Sequence, residues 1–218
     1  MYQPGNTYVA RSRPAKVSQT ANMQTCSANF GMASKAGKLL RQGLATVLPN
    51  VTDTHMQRRF SGCINKWLGK QPLADVQPQS AIAALEGFSF TENTFFYEGF
   101  KPRLLVTILP DGRVEISIPA FVPTVQIAAP AHTGSVELCI GVTACQLATA
   151  NPAVSNVYKK QIVFNSDPQA AETVVFNMAP LQQKLVMVVA SLRYFFADGS
   201  IEKREAFMPA SVVRAAYG

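Results

Sequence analysis

The residues best equipped for chemistry are few and scattered. His55 and His132 sit in turn-like sequence with no Cys, Asp or Glu at ligand spacing, so neither starts a zinc site. Residues 31–38 (GMASKAGK) resemble a phosphate loop only superficially. Five residues separate the glycines instead of four, and Leu39 stands where Ser or Thr would hold magnesium. No nucleophile elbow, zincin helix or dinucleotide fingerprint occurs. Glu115, Glu137, Asp167 and Glu172 lie on strand-like sequence, where exposed charges are ordinary, and nothing selects a catalytic pair. Cys26, Cys63, Cys139 and Cys145 make neither a C-x-x-C pair nor a dense disulfide framework. Cys139 and Cys145 would share one strand, too far apart to bond, while Cys26 and Cys63 flank two helices. These patterns predict free buried thiols, no cofactor and no enzyme.

What the sequence does concentrate is positive charge. The chain carries +7 overall, yet residues 1–70 hold ten bases against Asp53 alone, and residues 71–218 hold ten bases against twelve acids. The basicity therefore belongs to the N-terminal third. Such an asymmetry calls for an acidic partner, whether nucleic acid, a membrane surface or the acidic face of a neighbouring subunit. The candidate contacts are Arg11, Arg13, Lys16, Lys35, Lys38, Arg41, Arg58 and Arg59.

The elements that would position these bases are an arm and two helices. Residues 1–25 are polar, contain Pro4, Gly5 and Pro14, and show no period, which predicts an extended basic arm. A two-helix segment over 26–70 follows. Its first helix is expected over 27–48, capped by Ser27 and stopped by Pro49-Asn50. Phe30, Ala33, Gly37, Leu40, Leu44 and Val47 draw one narrow apolar stripe down it. The second helix follows Thr52-Asp53-Thr54 and ends at Gly69, with Met56, Phe60, Cys63, Ile64 and Trp67 on one side. The expected packing interface is Phe30, Ala33, Gly37, Leu40, Leu44, Met56, Phe60 and Trp67. Two helices of this size bury too little to stand alone, so they must dock on something.

Residues 71–87 read as a linker with one helical turn near 80–85, and from residue 88 the period changes to two. Leu104, Val106 and Ile108 alternate up to Pro110-Asp111-Gly112, then Val114, Ile116 and Ile118 alternate back, which is a hairpin. Further strands are expected over 136–142, 158–165, 172–178, 184–196 and 201–207. The stretch 184–196 is apolar on both faces, as a central strand should be. The aromatic run 88–100 (FSFTENTFFYEGF) is flanked by Glu92 and Glu98, so core burial fits it better than a stacking platform for bases or sugars. Seven to nine strands turned by Asp-Gly, Asn-Pro and Asp-Pro predict a mainly β chain, with a Greek-key or immunoglobulin-like antiparallel β-sandwich over 88–218.

No run reaches the roughly 18 apolar residues of a membrane span, and no apolar h-region follows the N-terminal bases. A cytoplasmic protein, or part of a particle assembled there, is expected.

The stretch 11–42 (RSRPAKVSQTANMQTCSANFGMASKAGKLLRQ), with its Arg-x-x-Pro arm, Gln-containing spacer and alanine-rich helix ahead of a β-rich half, resembles a group of uncharacterised bacterial proteins. That domain-of-unknown-function group is frequent in Bacteroidota. The match is compositional as much as motif-like, and it departs at Phe30-Gly31, where a Phe-Ala run is the pattern. The resemblance implies a bacterial protein, of a mobile or phage-like element, with no assigned activity and no functional residue to carry over.

The leading expectation is a non-enzymatic structural or assembly protein. Its sandwich is the scaffold, and its arm and helices dock on neighbouring copies or a partner. The alternatives are a nucleic-acid binder using the basic third and a carbohydrate- or ligand-binding sandwich.

Overall fold

The computed structural model describes residues 19–48, 55–70, 72–78, 81–92, 94–149, 151, 153–178 and 180–218. Arg11, Arg13, Lys16, most of the expected arm and the capping cluster at 52–54 lie outside them. In chain order the elements are α1 (Ala21–Gly43), α2 (Met56–Leu68), α3 (Phe96–Gly99), β1 (Leu105–Ile108), β2 (Arg113–Ile118) and α4 (Pro123–Gln126). Then come β3 (Thr133–Gln146), β4 (Val154–Val163), β5 (Glu172–Asn177), β6 (Lys184–Phe196) and β7 (Ala210–Tyr217).

The chain is mainly β, with two antiparallel sheets face to face. One has the order β1-β2-β5 and the other β4-β3-β6-β7. The hairpin forms where Asp-Gly placed it. Gly112 takes φ +93°, and the Asp111 carboxylate accepts the Arg113 N–H at 3.0 Å. Between the sheets, Val114, Ile116 and Ile118 of β2 meet Val136, Leu138 and Ile140 of β3 and Val188, Ala190 and Leu192 of β6. All nine are buried.

The other face of the four-stranded sheet is just as apolar, and α1 and α2 cover it. Cys139, Leu185, Met187, Val189 and Val212 share one core with Ala33, Leu40, Leu44, Phe60 and Ile64. That second cover explains why β6 is apolar on both faces. The two helices expected to need a docking surface find it on their own chain.

Three boundaries differ from the sequence expectation. Helix α1 starts six residues before Ser27 because the Thr20 hydroxyl caps it, accepting the Met23 N–H at 3.3 Å. It ends at Gly43, and 44–48 close as turns through Val47 N–H to Leu44 C=O. The expected strand over 201–207 does not form. Glu202 bends the chain by accepting the Lys203 and Arg204 N–H groups, a 3-10 turn occupies Glu205–Phe207, and the last strand is β7. Its sequence, ASVVRAAY, lacks clear alternation because a register shift opposite Val188 and Val189 interrupts it.

The expected linker packs rather than spans. Ile82 and Leu85 are buried, and 82–90 lies along the outer edge of β7. There Ile82, Gly87 and Phe90 donate to Ala215, Val212 and Ala210, and Val212 donates back to Phe88. An otherwise open sheet edge is thereby covered. The aromatic run divides between the cores. Phe88 and Phe90 ring Phe60 at 5.1 and 5.4 Å, while Phe96 and Phe100 pack between the sheets with Phe121.

Candidate functional site

The helical layer is fixed to the sheet by a few specific contacts. Gly141 on β3 leaves room for the end of α1, since a Cβ there would lie 2.7 Å from Val47 and 2.8 Å from Leu44. Ser191 on β6 donates to the Val47 carbonyl at 2.6 Å, and the Arg193 guanidinium donates to the Thr46 carbonyl at 2.6 Å. Two carbonyls just past the end of α1 are thus satisfied from the sheet, one of them by a cation that suits the helix dipole. Glu137, opposite Arg193 across the β3–β6 ladder, balances that cation at 3.3 Å.

Helix α2 runs antiparallel to α1, since Gly37 faces Ser61 while Asn29, earlier in α1, donates to the Gly69 carbonyl beyond α2. Gly37 sets the spacing, because a Cβ there would meet Ser61 Oγ at 3.1 Å and Phe60 at 3.4 Å. Gly69 caps the end of α2 at φ +64° and ψ −143°, a backbone conformation open in practice only to glycine.

Ala33, Gly37, Leu40, Leu44 and Phe60 are buried, and Met56 and Trp67 are half-buried against the same core. The Trp67 ring lies 5.3 Å from that of Tyr217 on β7. Phe30 is different. It is 59% exposed, and Met23, two turns earlier, is 52% exposed. The apolar stripe of α1 is therefore covered along its C-terminal half and uncovered along its N-terminal half.

The candidate bases also separate. Lys35, Lys38 and Arg58 are exposed on the outer side of the layer, joined by Lys66 and Lys70, which sequence reasoning did not single out. Arg41 is half-buried with its Nε on the Gly37 carbonyl at 3.0 Å, and burial lowers its pKa. Arg59 stacks over Phe88 at 5.2 Å and donates to the Ser89 carbonyl at 3.0 Å. Arg59 thus ties α2 to the segment along β7, while Arg41 bonds back onto its own helix.

All four cysteines are free, but only Cys139 and Cys145 are fully buried, with thiols pushed up to about 12 by burial. Cys63 is half-buried and raised for the same reason. Cys26 is exposed, contrary to the expectation of buried thiols, because α1 begins early enough to place it on the uncovered half.

Elsewhere, a cleft of about 640 Å³ opens between the outer edge of β1 and the end of β7, lined by Val106, Ile108, Leu181, Val186 and Tyr217. Its lining is chiefly aliphatic, suited to an apolar ligand. Among the described residues no group of three His, Cys, Asp or Glu side chains could hold a metal ion, and no helix is long and apolar enough to cross a membrane. No protein-family model matches the chain, and no match was found among curated proteins.

Proposed function

We propose that this chain is a non-enzymatic structural or assembly protein that docks on a second copy of itself through the N-terminal half of α1. The uncovered half of the apolar stripe carries this reading. Met23, Cys26 and Phe30 recur at helical spacing in line with Ala33, Gly37 and Leu40, which are core. Residues 17–34 contain no charged side chain. Two copies can therefore bring these half-helices together without the repulsion that Lys35, Lys38 and Arg58 would create elsewhere on the layer. The arm leads directly into this surface.

In this reading the two sheets are a Greek-key, immunoglobulin-like scaffold. Numbering a constant-type immunoglobulin sandwich in chain order gives sheets 1-2-5-4 and 3-6-7. The order here, 1-2-5 and 4-3-6-7, departs only in pairing the fourth strand with the third. Four free thiols support assembly in a reducing compartment such as the cytoplasm.

Light scattering on the intact chain tests the proposal. The expected mass exceeds that of a monomer and falls to the monomer value in Phe30→Asp with an unchanged thermal melt, because Phe30 contributes little to the core. Mild oxidation should cross-link copies through Cys26 and lose the product in Cys26→Ser. A monomer at every concentration would overturn the proposal.

A further inference from the structure

We infer that the outer face of the helical layer binds the phosphate backbone of a nucleic-acid duplex. The protein surrounds its bases differently in two regions. In the body, where twelve acids outnumber ten bases, half of the bases are in ion pairs: Arg113 with Asp111 and Glu115, Lys160 with Glu172, Arg193 with Glu137, Arg204 with Glu202 and Arg214 with Glu86. On the helical layer, Lys35, Lys38, Arg58, Lys66 and Lys70 are all exposed, and none is in an ion pair with another described residue. Neither α1 nor α2 contains an acid. Five solvated cations thus stand on two rigid helices that Gly37 brings close together, with their counter-charge left to an external anion.

The chemistry around these cations narrows the partner. The exposed neighbours Gln42, Gln57 and Gly62 are polar or lack a side chain, so this face has no apolar anchor to sink into a lipid surface. Tracking a single strand takes successive rings for bases to stack on. Trp67 is instead packed on Tyr217, Phe60 is buried, and Phe30 stands as one ring on the uncovered half of α1. Lysines without aromatic partners act as point charges, which suits a regular array of phosphates and carries no base readout. The inference is thus of sequence-independent binding to a duplex. It does not depend on self-association, because the bases lie off the uncharged half of α1.

The test is binding of the intact chain to a short mixed-sequence DNA duplex, followed by fluorescence anisotropy across salt concentration. Each phosphate neutralised on a duplex adds about 0.9 to the log–log salt slope, so five bases give a slope between about −4 and −5. Lys38→Ala combined with Arg58→Ala should flatten that slope by about 2. Lys101→Ala with Lys184→Ala, on the body, should leave it unchanged. All four side chains are solvent-accessible, so the variants should keep the parent melting temperature. Duplex RNA should bind with a similar slope, which would support a backbone contact. No binding at about 50 mM salt would overturn the inference, as would a slope indifferent to the helix variants. Tighter binding to a single strand, to phosphatidylserine vesicles or to polyglutamate would overturn it in favour of another partner class.

Discussion

The four-stranded sheet is covered twice, by a second sheet on one face and by two helices on the other, and the covers differ mainly on their outer sides. Toward the core they do the same work. Ile116 and Val114 on one side, and Leu40 and Leu44 on the other, are completely buried against β3 and β6. On its outer side the three-stranded sheet neutralises itself, with Arg113 held between Asp111 and Glu115 and Ser117 beside Thr173 at 3.3 Å. The helical layer has five bases in no ion pair with another described residue, and the N-terminal half of its apolar stripe is exposed. Inward faces fix the fold. In the proposed reading, partner recognition falls to the helical cover.

The largest expected effect would break this comparison if it failed. Leu40→Ala and Ile116→Ala should each cost about 2–5 kcal/mol, because each removes a fully buried side chain from a close-packed core. Urea midpoints of the two variants should therefore fall together, in one cooperative transition. If Leu40→Ala proved nearly neutral while Ile116→Ala did not, the helices would be an appendage and not a second cover.

A smaller effect separates the covers. In Gly141→Val the new side chain would occupy the space of Val47 and Leu44, on the helix side only. Overpacking of this kind costs about 1–3 kcal/mol. It should appear as lost helical circular dichroism while the tyrosines between the sheets keep their near-ultraviolet signal. Loss of both signals together would mean that the sandwich cannot hold without its helices.

Much of the inner architecture could be read from the residues, and its limits were physical. The hairpin at Asp111-Gly112 is local chemistry, so it was legible. The two-faced strand β6 was legible as central, but an apolar second face does not say whether a helix or a sheet will cover it. The strand expected over 201–207 failed because the Glu202 carboxylate gathers the Lys203 and Arg204 N–H groups into a turn, a contact that alternation cannot register. Four rings of the aromatic run at 88–100 are buried as expected, while Phe95 is 45% exposed, and the division between two cores depends on which face of the sheet each ring reaches. Among the site residues, Arg41 and Arg59 looked like Lys35 and Arg58 in sequence. Only the structure shows Arg41 folding back onto the Gly37 carbonyl of its own helix and Arg59 lying over Phe88.

The smallest effect is chemical, and it grades the helix side from its exposed tip to its core. At pH 8, iodoacetamide should modify Cys26 first, Cys63 slowly, and Cys139 and Cys145 only as the protein opens. The order follows exposure and the raised thiol pKa of the other three. The same burial has a consequence at alkaline pH. A thiol held near 12 in the folded chain returns to about 9 on unfolding, so the unfolded state gives up its proton first. The stability supplied by Cys139 and Cys145 is therefore complete below pH 9 and is lost as pH rises from 9 toward 12. Replacing both by Ala should flatten the fall of the melting temperature over that window while lowering it at neutral pH. If the double variant tracked the parent across the window, the thiols would be better hydrated than their burial implies, and the helices would seal this face less tightly than the second sheet seals the other.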